Sequence, residues 1–169
     1  MNALPKVLRN FNVLLEGTSF AGIATEVTLP KLTIMEDEHR GGGHDAPVMI
    51  DRGMEKLELS FTMAEQHAAI FKRFGLRDGQ GTSIVFRGAK VDDRTVESYV
   101  VEARGRLNLA DPGSISSGNN AKNELKAGMS LRYIKISMKG ATLVEIDVDN
   151  MKRVIDGSDQ LAEIRDALG

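Results

Sequence analysis

The chain has 169 residues and no cysteine, which excludes a disulfide framework and any thiolate metal site, and its length suits one domain burying roughly 70% of its unfolded surface. Twenty-two Lys and Arg against 24 Asp and Glu give a net charge of −2, with adjacent basic pairs only at Lys72-Arg73 and Lys152-Arg153, so no phosphate-tracking patch is expected; six Phe, two Tyr and no Trp leave few stacking platforms for single strands. No stretch approaches ~18 apolar residues, and MNALPKVLRNFNVLL lacks a basic region followed by a sustained apolar run, so neither a membrane span nor a signal peptide is expected.

Phe11, Val13 and Leu15 share one face of a period-two segment. After the turn at Gly17-Thr18-Ser19, Ile23, Val27 and Leu29 alternate with Ala24, Glu26 and Thr28, which predicts a first hairpin. The stretch from Thr28 to Met63 reads as two long strands about a glycine hinge. Leu32 and Ile34 precede the hinge, Val48 and Ile50 follow it, and Gly41, Gly42 and Gly43 free the tip for positive φ. This predicts a protruding hairpin arm over about 35–49. Its tip and base carry Glu36, Asp37, Glu38 and Asp45 against Arg40, so the arm faces solvent or a partner rather than the core.

Past the arm, Leu57, Leu59, Phe61 and Met63 alternate with Lys56, Glu58, Ser60 and Thr62, one face buried and the other wet. Thr62 and Glu65 have the spacing of a capping box. They precede a helical stripe of Ile70, Phe71 and Phe74, with Gly75 as the C′ residue. Strands are predicted at 82–88, 94–109, 124–139 and 141–148, with turns at Gly79-Gln80-Gly81, Asp111-Pro112-Gly113 and Lys139-Gly140. The segment from Gly113 to Asn123 is mostly Gly, Ser and Asn and is expected to be mobile, or ordered only by a neighbour. Behind a Ser158 or Asp159 cap, Leu161, Ile164 and Leu168 fall at i, i+3 and i+7. They predict a short C-terminal helix docked on the sheet or on a neighbouring subunit. The sum is a single α+β domain over 1–169, mainly β, with antiparallel sheet, a flanking helix and a short terminal helix.

Candidate chemistry is sparse. His39, His44 and Asp45 could meet at a metal, but the glycine hinge between them does not preorganise ligands, and an exposed loop is the favoured reading. His67 reads as a surface residue of the first helical turn. The RGGG stretch lacks the GxxxxGK[ST] pattern and is not followed by a helix, so it cradles no phosphate. Asp147, Asp149 and Asn150 lack the glycine and closing glutamate of a calcium loop and read as a turn. The carboxylates Asp92, Asp93, Glu97 and Glu102 read as solvated. No catalytic residue, cofactor site or metal site is assigned, and the chain is not read as an enzyme.

The chain resembles the major tail tube protein family of contractile-tailed bacteriophages and the related R-type pyocins. The likeness lies in LPKL, RGGGHDAPV, DRGMEKLE, VFRGA at 85–89, the DPG turn, and VIDGSDQLAEIRDALG, and it runs in order from about residue 11 to the end. The resemblance implies a sandwich-like pair of packed antiparallel sheets. Six copies would close a ring, and stacked rings would form the inner tube of a contractile tail, the conduit for DNA ejection. The same resemblance implies a virion protein assembled in the host cytoplasm. Its partners would be further copies of itself, the sheath, and the baseplate, tape-measure and tail-terminator proteins.

On that reading Glu36, Asp37, Glu38, Arg40, Gly41, Gly42, Gly43 and Asp45 form an interface arm, and Glu58, Ser60 and Thr62 are candidates for the lumen wall. Six copies at −2 carry −12 per ring, so a neutral or acidic wall is expected to let DNA pass without binding it. Two further readings stay open from the residues alone. A ligand-holding single-chain barrel would leave the triple-glycine arm unexplained, and an enzyme would need convergent acid, base or nucleophile groups. The resemblance also fits the tube of a DNA-free bacteriocin.

Overall fold

The computed structural model describes residues 5–77 and 81–169. In chain order the elements are β1 (Val7–Leu15), β2 (Thr18–Ser19), β3 (Ala24–Thr28), β4 (Ile34–His39), β5 (Val48–Met54), β6 (Leu57–Met63) and α1 (Ala68–Arg73). They continue with β7 (Thr82–Val91), β8 (Val96–Asp111), β9 (Leu125–Met138), β10 (Ala141–Asp147), β11 (Lys152–Ile155), β12 (Ser158–Asp159) and α2 (Ala162–Leu168). Strands β4 and β5 form a separate two-stranded sheet; the others join in one antiparallel sheet of ten.

The long strands β8 and β9 organise that sheet. Along one edge β9 pairs with β8 nearly throughout. Along its other edge it pairs first with β6, from Leu125 to Leu131, and then with β10, from Tyr133 to Met138. Strand β8 likewise pairs with β7 only from Val96 to Gly105. The register shifts between Arg104 and Gly105 and again between Leu107 and Leu109, bulges that bend both strands. The result is a four-stranded layer, β3-β6-β9-β8, continuous with a second layer built on β10, β9, β8, β7 and β1. A single apolar cluster takes Leu57, Leu59, Phe61 and Met63 from the first and Val13, Ile84, Val101 and Ile146 from the second. Ile70 of α1 is fully buried in the same cluster.

Three local expectations change. Strand β1 hairpins onto only the two residues of β2 through Glu16 and Gly17, both at positive φ, and its long neighbour is β7. Strand β3 pairs instead with β6, Val27 opposite Phe61: the buried Phe20 still donates its N–H to the Val13 carbonyl of β1, but its own carbonyl accepts from the Ile23 and Ala24 N–H groups, and the chain turns there. Alternation shows which face a strand buries but not which strand it meets. The first helix starts later than the Thr62 and Glu65 spacing suggests: Thr62 is still in β6. The N-cap is His67, whose Nδ1 accepts from the Ala69 N–H at 3.2 Å, while its ring meets Phe20 edge-on. Gly75 sits at φ +70 after α1, in the conformation expected of it, yet Phe71 and Phe74 face solvent. The predicted turn at Gly79-Gln80 lies outside the described residues.

At Gly105 the two strands come too close for a side chain. A Cβ there would lie 2.0 Å from the Ser130 carbonyl oxygen and 2.8 Å from Leu131 Cα, and backbone cannot rotate aside. Gly105→Ala is expected to cost about 1–3 kcal/mol through overpacking, and Ile70→Ala ~2–5 kcal/mol through the cavity it leaves. Urea unfolding of the dilute subunit checks both.

Candidate functional site

Among the described residues no group of three or more His, Asp or Glu is arranged to hold a metal ion. His39 and His44 both lie beside Gly41 at the arm tip, where the His44 N–H donates to the Gly41 carbonyl and the Arg40 guanidinium to the Asp45 carbonyl. Asp147 and Asn150 form a turn through side-chain and backbone bonds. No described helix is long and apolar enough to cross a membrane. The functional surface is instead a set of unpaired edges and exposed faces.

The arm is the first. It runs from Ile34 to Met54, somewhat longer at its base than expected, and nearly all of it is exposed. Ile34, Met35, Val48, Met49 and Ile50 all meet solvent. Register places Glu36 opposite Asp51 and Glu38 opposite Met49, so three carboxylates share one face; Asp37 lies on the other, 2.6 Å from Arg52. Directly opposed like charges are unfavourable on an antiparallel ladder. Arg153 of β11 relieves the pair from one side: its Nη2 donates to Asp51 at 2.7 Å and, with the Gly53 N–H, holds the Asp51 carboxyl below its ordinary pKa.

The wet face of the four-stranded layer is the second. Glu58, Ser60 and Thr62 point away from the core in register with Ser130, Gly128 and Lys126 of β9. A groove of about 460 Å³ crosses this face, lined by Thr28, Lys31, Glu58, Ser60, Asn108 and Leu109. Lys56 pairs with Glu58 at 2.9 Å, and β9 and β8 add Lys126, Arg132, Arg104 and Arg106 as exposed residues. The face thus mixes these cations with Glu58, with Glu26 of β3 opposite Thr62, and with Asp111 of β8 opposite Lys126. At its bend lies a cavity of about 810 Å³ whose lining includes Arg77, Arg104, Arg106, Arg132 and Asp149. Arg132 reaches Asp149 at 3.4 Å, and Arg104 lies over the Tyr133 ring at 5.4 Å. Four arginines scattered over 56 positions gave no sequence signal beyond Arg104 and Arg106 sharing a strand face.

The C-terminal helix is the third. Leu161 is half-buried, but Ile164 and Leu168 are 54% and 70% exposed, so within the subunit the apolar stripe docks only at its start. Polar contacts hold α2 instead. Asp159 accepts from the Leu161 N–H at 3.1 Å and from Arg165 at 2.9 Å, bonds that depress its pKa, and Arg165 also donates to the Met151 carbonyl. The segment from Gly113 to Asn123 contains no strand or helix, and Ile115 projects from it.

Two strand edges complete the picture. Among the described residues, strand β3 pairs only with β6, and β8 from Arg106 to Asp111 pairs only with β9, apart from a bridge from Phe74 to Leu107 beside the Gly75 N–H bond to the Leu107 carbonyl.

Comparison with known proteins places this geometry. The family described as phage tail tube protein FII matches residues 5–169. The chain is 33% identical over 172 residues to the tail tube protein of Escherichia phage P2, covering 99% of each. It is 30% identical to the major tail tube protein of Serratia phage KSP20, over 92% of this chain and 90% of that one. A chain in the six-fold symmetrised baseplate of the anti-feeding prophage shares the fold, with a TM-score of 0.55 at 17% identity over 82% of this chain and 98% of that chain.

The contacts of α2 set a prediction. Because the folded-state pKa of Asp159 is lowered, its contribution is present above the unfolded value, ~3.9, and is lost as pH falls through the lower folded value. Asp159→Asn should lower the melting temperature of the dilute subunit at pH 7, and the difference from the parent should shrink below pH ~4. Leu168→Ala, at an exposed site, should leave the dilute subunit within ~0.5 kcal/mol of the parent.

Proposed function

This chain belongs to the phage tail tube protein FII family, and from that premise we propose that it polymerises as stacked hexameric rings into the inner tube of a contractile tail. Tail tube proteins are structural components of virion tails, assemble with themselves into tubes, and are not enzymes. The observation that carries the finer reading is the pair of open edges on the β3-β6-β9-β8 layer. Its strands alternate in direction, so β3 of a second copy laid beside β8 continues the antiparallel order. Six copies of four strands close a 24-stranded barrel, and closure leaves no edge to aggregate.

In this arrangement Glu58, Ser60 and Thr62 face the lumen. The arm from about 35 to 49 reaches an adjoining subunit, carrying Glu36, Asp37, Glu38, Arg40, Gly41, Gly42, Gly43 and Asp45 into the contact. Ile164 and Leu168 find their apolar cover on a neighbour. The sheath, baseplate, tape-measure and tail-terminator proteins take the remaining contacts along and at the ends of the tube. The identity to two phage tail tube proteins favours a conduit for DNA over a DNA-free particle. The lumen need not be acidic for this: cations interspersed with Glu58 and Asp111, some already paired, present no continuous track of phosphate sites.

The assembled subunit is expected to bury more than ~2,000 Å² in contacts with its neighbours, as obligate assemblies do. Sedimentation and negative-stain microscopy should show a monomer or loose oligomer when dilute and rings or hollow tubes when concentrated. Deleting Gly41 to Gly43 should leave a folded subunit, with unchanged circular dichroism, that forms no tubes. A monomer persisting at millimolar concentration, or normal tubes from the deletion, would contradict the reading.

A further inference from the structure

We infer that Ile115, on the loop between β8 and β9, docks into the apolar groove between the arm base and α2 of a second copy of the chain in the next ring, a contact that deepens the ring reading above and rests on it. The loop and the groove lie at opposite ends of the four-stranded layer. Met63 pairs with both Ala24 and Leu125, and Asp111 pairs with Lys126, so the loop from Pro112 to Glu124 leaves the layer at that end. At the other end Leu57 and Gly105 both lie opposite Leu131. There a groove of about 900 Å³ is lined by Met54, Leu57, Leu131, Ile146, Val148 and Ile164, among others. It opens to solvent beside Val148 and Ile164, which are 56% and 54% exposed.

The loop cannot fill the groove of its own chain. From Leu57 to Met63 the layer spans roughly 20 Å, whereas Ile115 lies four residues beyond Asp111 and reaches at most ~14 Å. Gln66 Nε2 and the Gly113 N–H, which bond the Pro112 carbonyl and the Asp111 carboxylate at 2.7 and 2.9 Å, also pin the loop base at its own end. When rings stack head to tail, the loop-bearing rim of one meets the groove-bearing rim of the next, and the same contact repeats along the tube. Ile115 is 77% exposed in a segment otherwise made of Gly, Ser, Asn, Ala and Lys, and its burial in an apolar groove is favourable. Charge supports the same occupant. Lys122 is the one charged residue between Gly113 and Asn123, and it has no ion pair among the described residues. At the groove rim Arg52 holds Asp37, Lys56 holds Glu58, Arg153 holds Asp51, and Lys152 faces Glu145, while Asp147 is bonded to Asn150 within its turn. That leaves Glu55, whose carboxylate acts on Lys56 through space but makes no ion pair among the described residues. Lys122 of the adjoining ring supplies the missing cation.

The absence of cysteine from the chain makes the test direct. A subunit carrying both Ile115→Cys and Val148→Cys is assembled and oxidised. Because the contact runs head to tail from ring to ring, the expected result on a non-reducing gel is a ladder of disulfide-linked chains that continues past six and is absent when assembly is prevented. Disulfides between copies within one ring would end at six. Tubes visible by microscopy with no ladder, or with one that ends at six, would overturn the inference and leave the ring reading standing; no rings or tubes from the unmodified chain would overturn the ring reading itself. In parallel, Ile115→Asp should leave the subunit folded by circular dichroism but cut tube yield by at least ~10-fold, because a carboxylate is costly to bury without a partner, while Ile115→Leu should retain tubes. Normal tubes from Ile115→Asp would overturn the inference. Lys122→Glu or Glu55→Lys alone should lower tube yield at low salt through like charges in contact, and the two combined should restore it. A folded double variant that fails to recover would count equally against the inference.

Discussion

Backbone hydrogen bonding at two open strand edges is the constraint on which this architecture turns. Among the described residues, strand β3 and the stretch of β8 from Asn108 to Asp111, beyond the contact that Phe74 and Gly75 make at Leu107, each have no paired strand along one side, and exposed edges are templates for adding another chain. Here they bound the same four-stranded layer, at opposite sides and with compatible direction. In the proposed ring a copy that covers one edge offers its own, so addition would continue until the ring closes. The arm and the terminal helix leave Ile50, Ile164 and Leu168 in solvent, apolar surface that the proposed assembly would cover.

The bend in β8 and β9 makes that layer possible. Two bulges and the close approach at Gly105 let one pair of strands serve two layers, so the core is enclosed by a sheet that turns back on itself instead of by two separate sheets. The α1 helix, through Ile70, fills the cluster, and Gly75 turns the chain back to touch β8. Packing of the core therefore sets the curvature of the wet face carrying Glu58, and in the proposed ring that curvature would set how many copies close it.

The sequence made some of this legible. The clean alternation from Leu57 to Met63 located the buried strand at the centre of the layer, and the acidic flanks of Gly41 to Gly43 located the arm, because both are statements about a single segment. Pairing between distant segments was not legible: β3 and β1 both alternate, and nothing local says that β3 joins β6. Nor was the cap at His67, a residue type outside the usual cap preferences, or the arginine cavity, whose members come from a loop and two strands. The stripe Leu161, Ile164 and Leu168 reads as an apolar helix face, yet Leu161 caps α2 and Ile164 and Leu168 are exposed, because such a pattern cannot say whether the cover lies in the same subunit.

The central claim, that edges meet edges and the wet face turns inward, is tested most directly by a density map of the assembled tube at side-chain resolution. The account predicts β3 of each subunit hydrogen-bonded antiparallel to the Arg106–Asp111 stretch of its neighbour, with Glu58, Ser60 and Thr62 lining the lumen. A map in which β3 remains unpaired, or in which that face meets the outside of the tube, would contradict it.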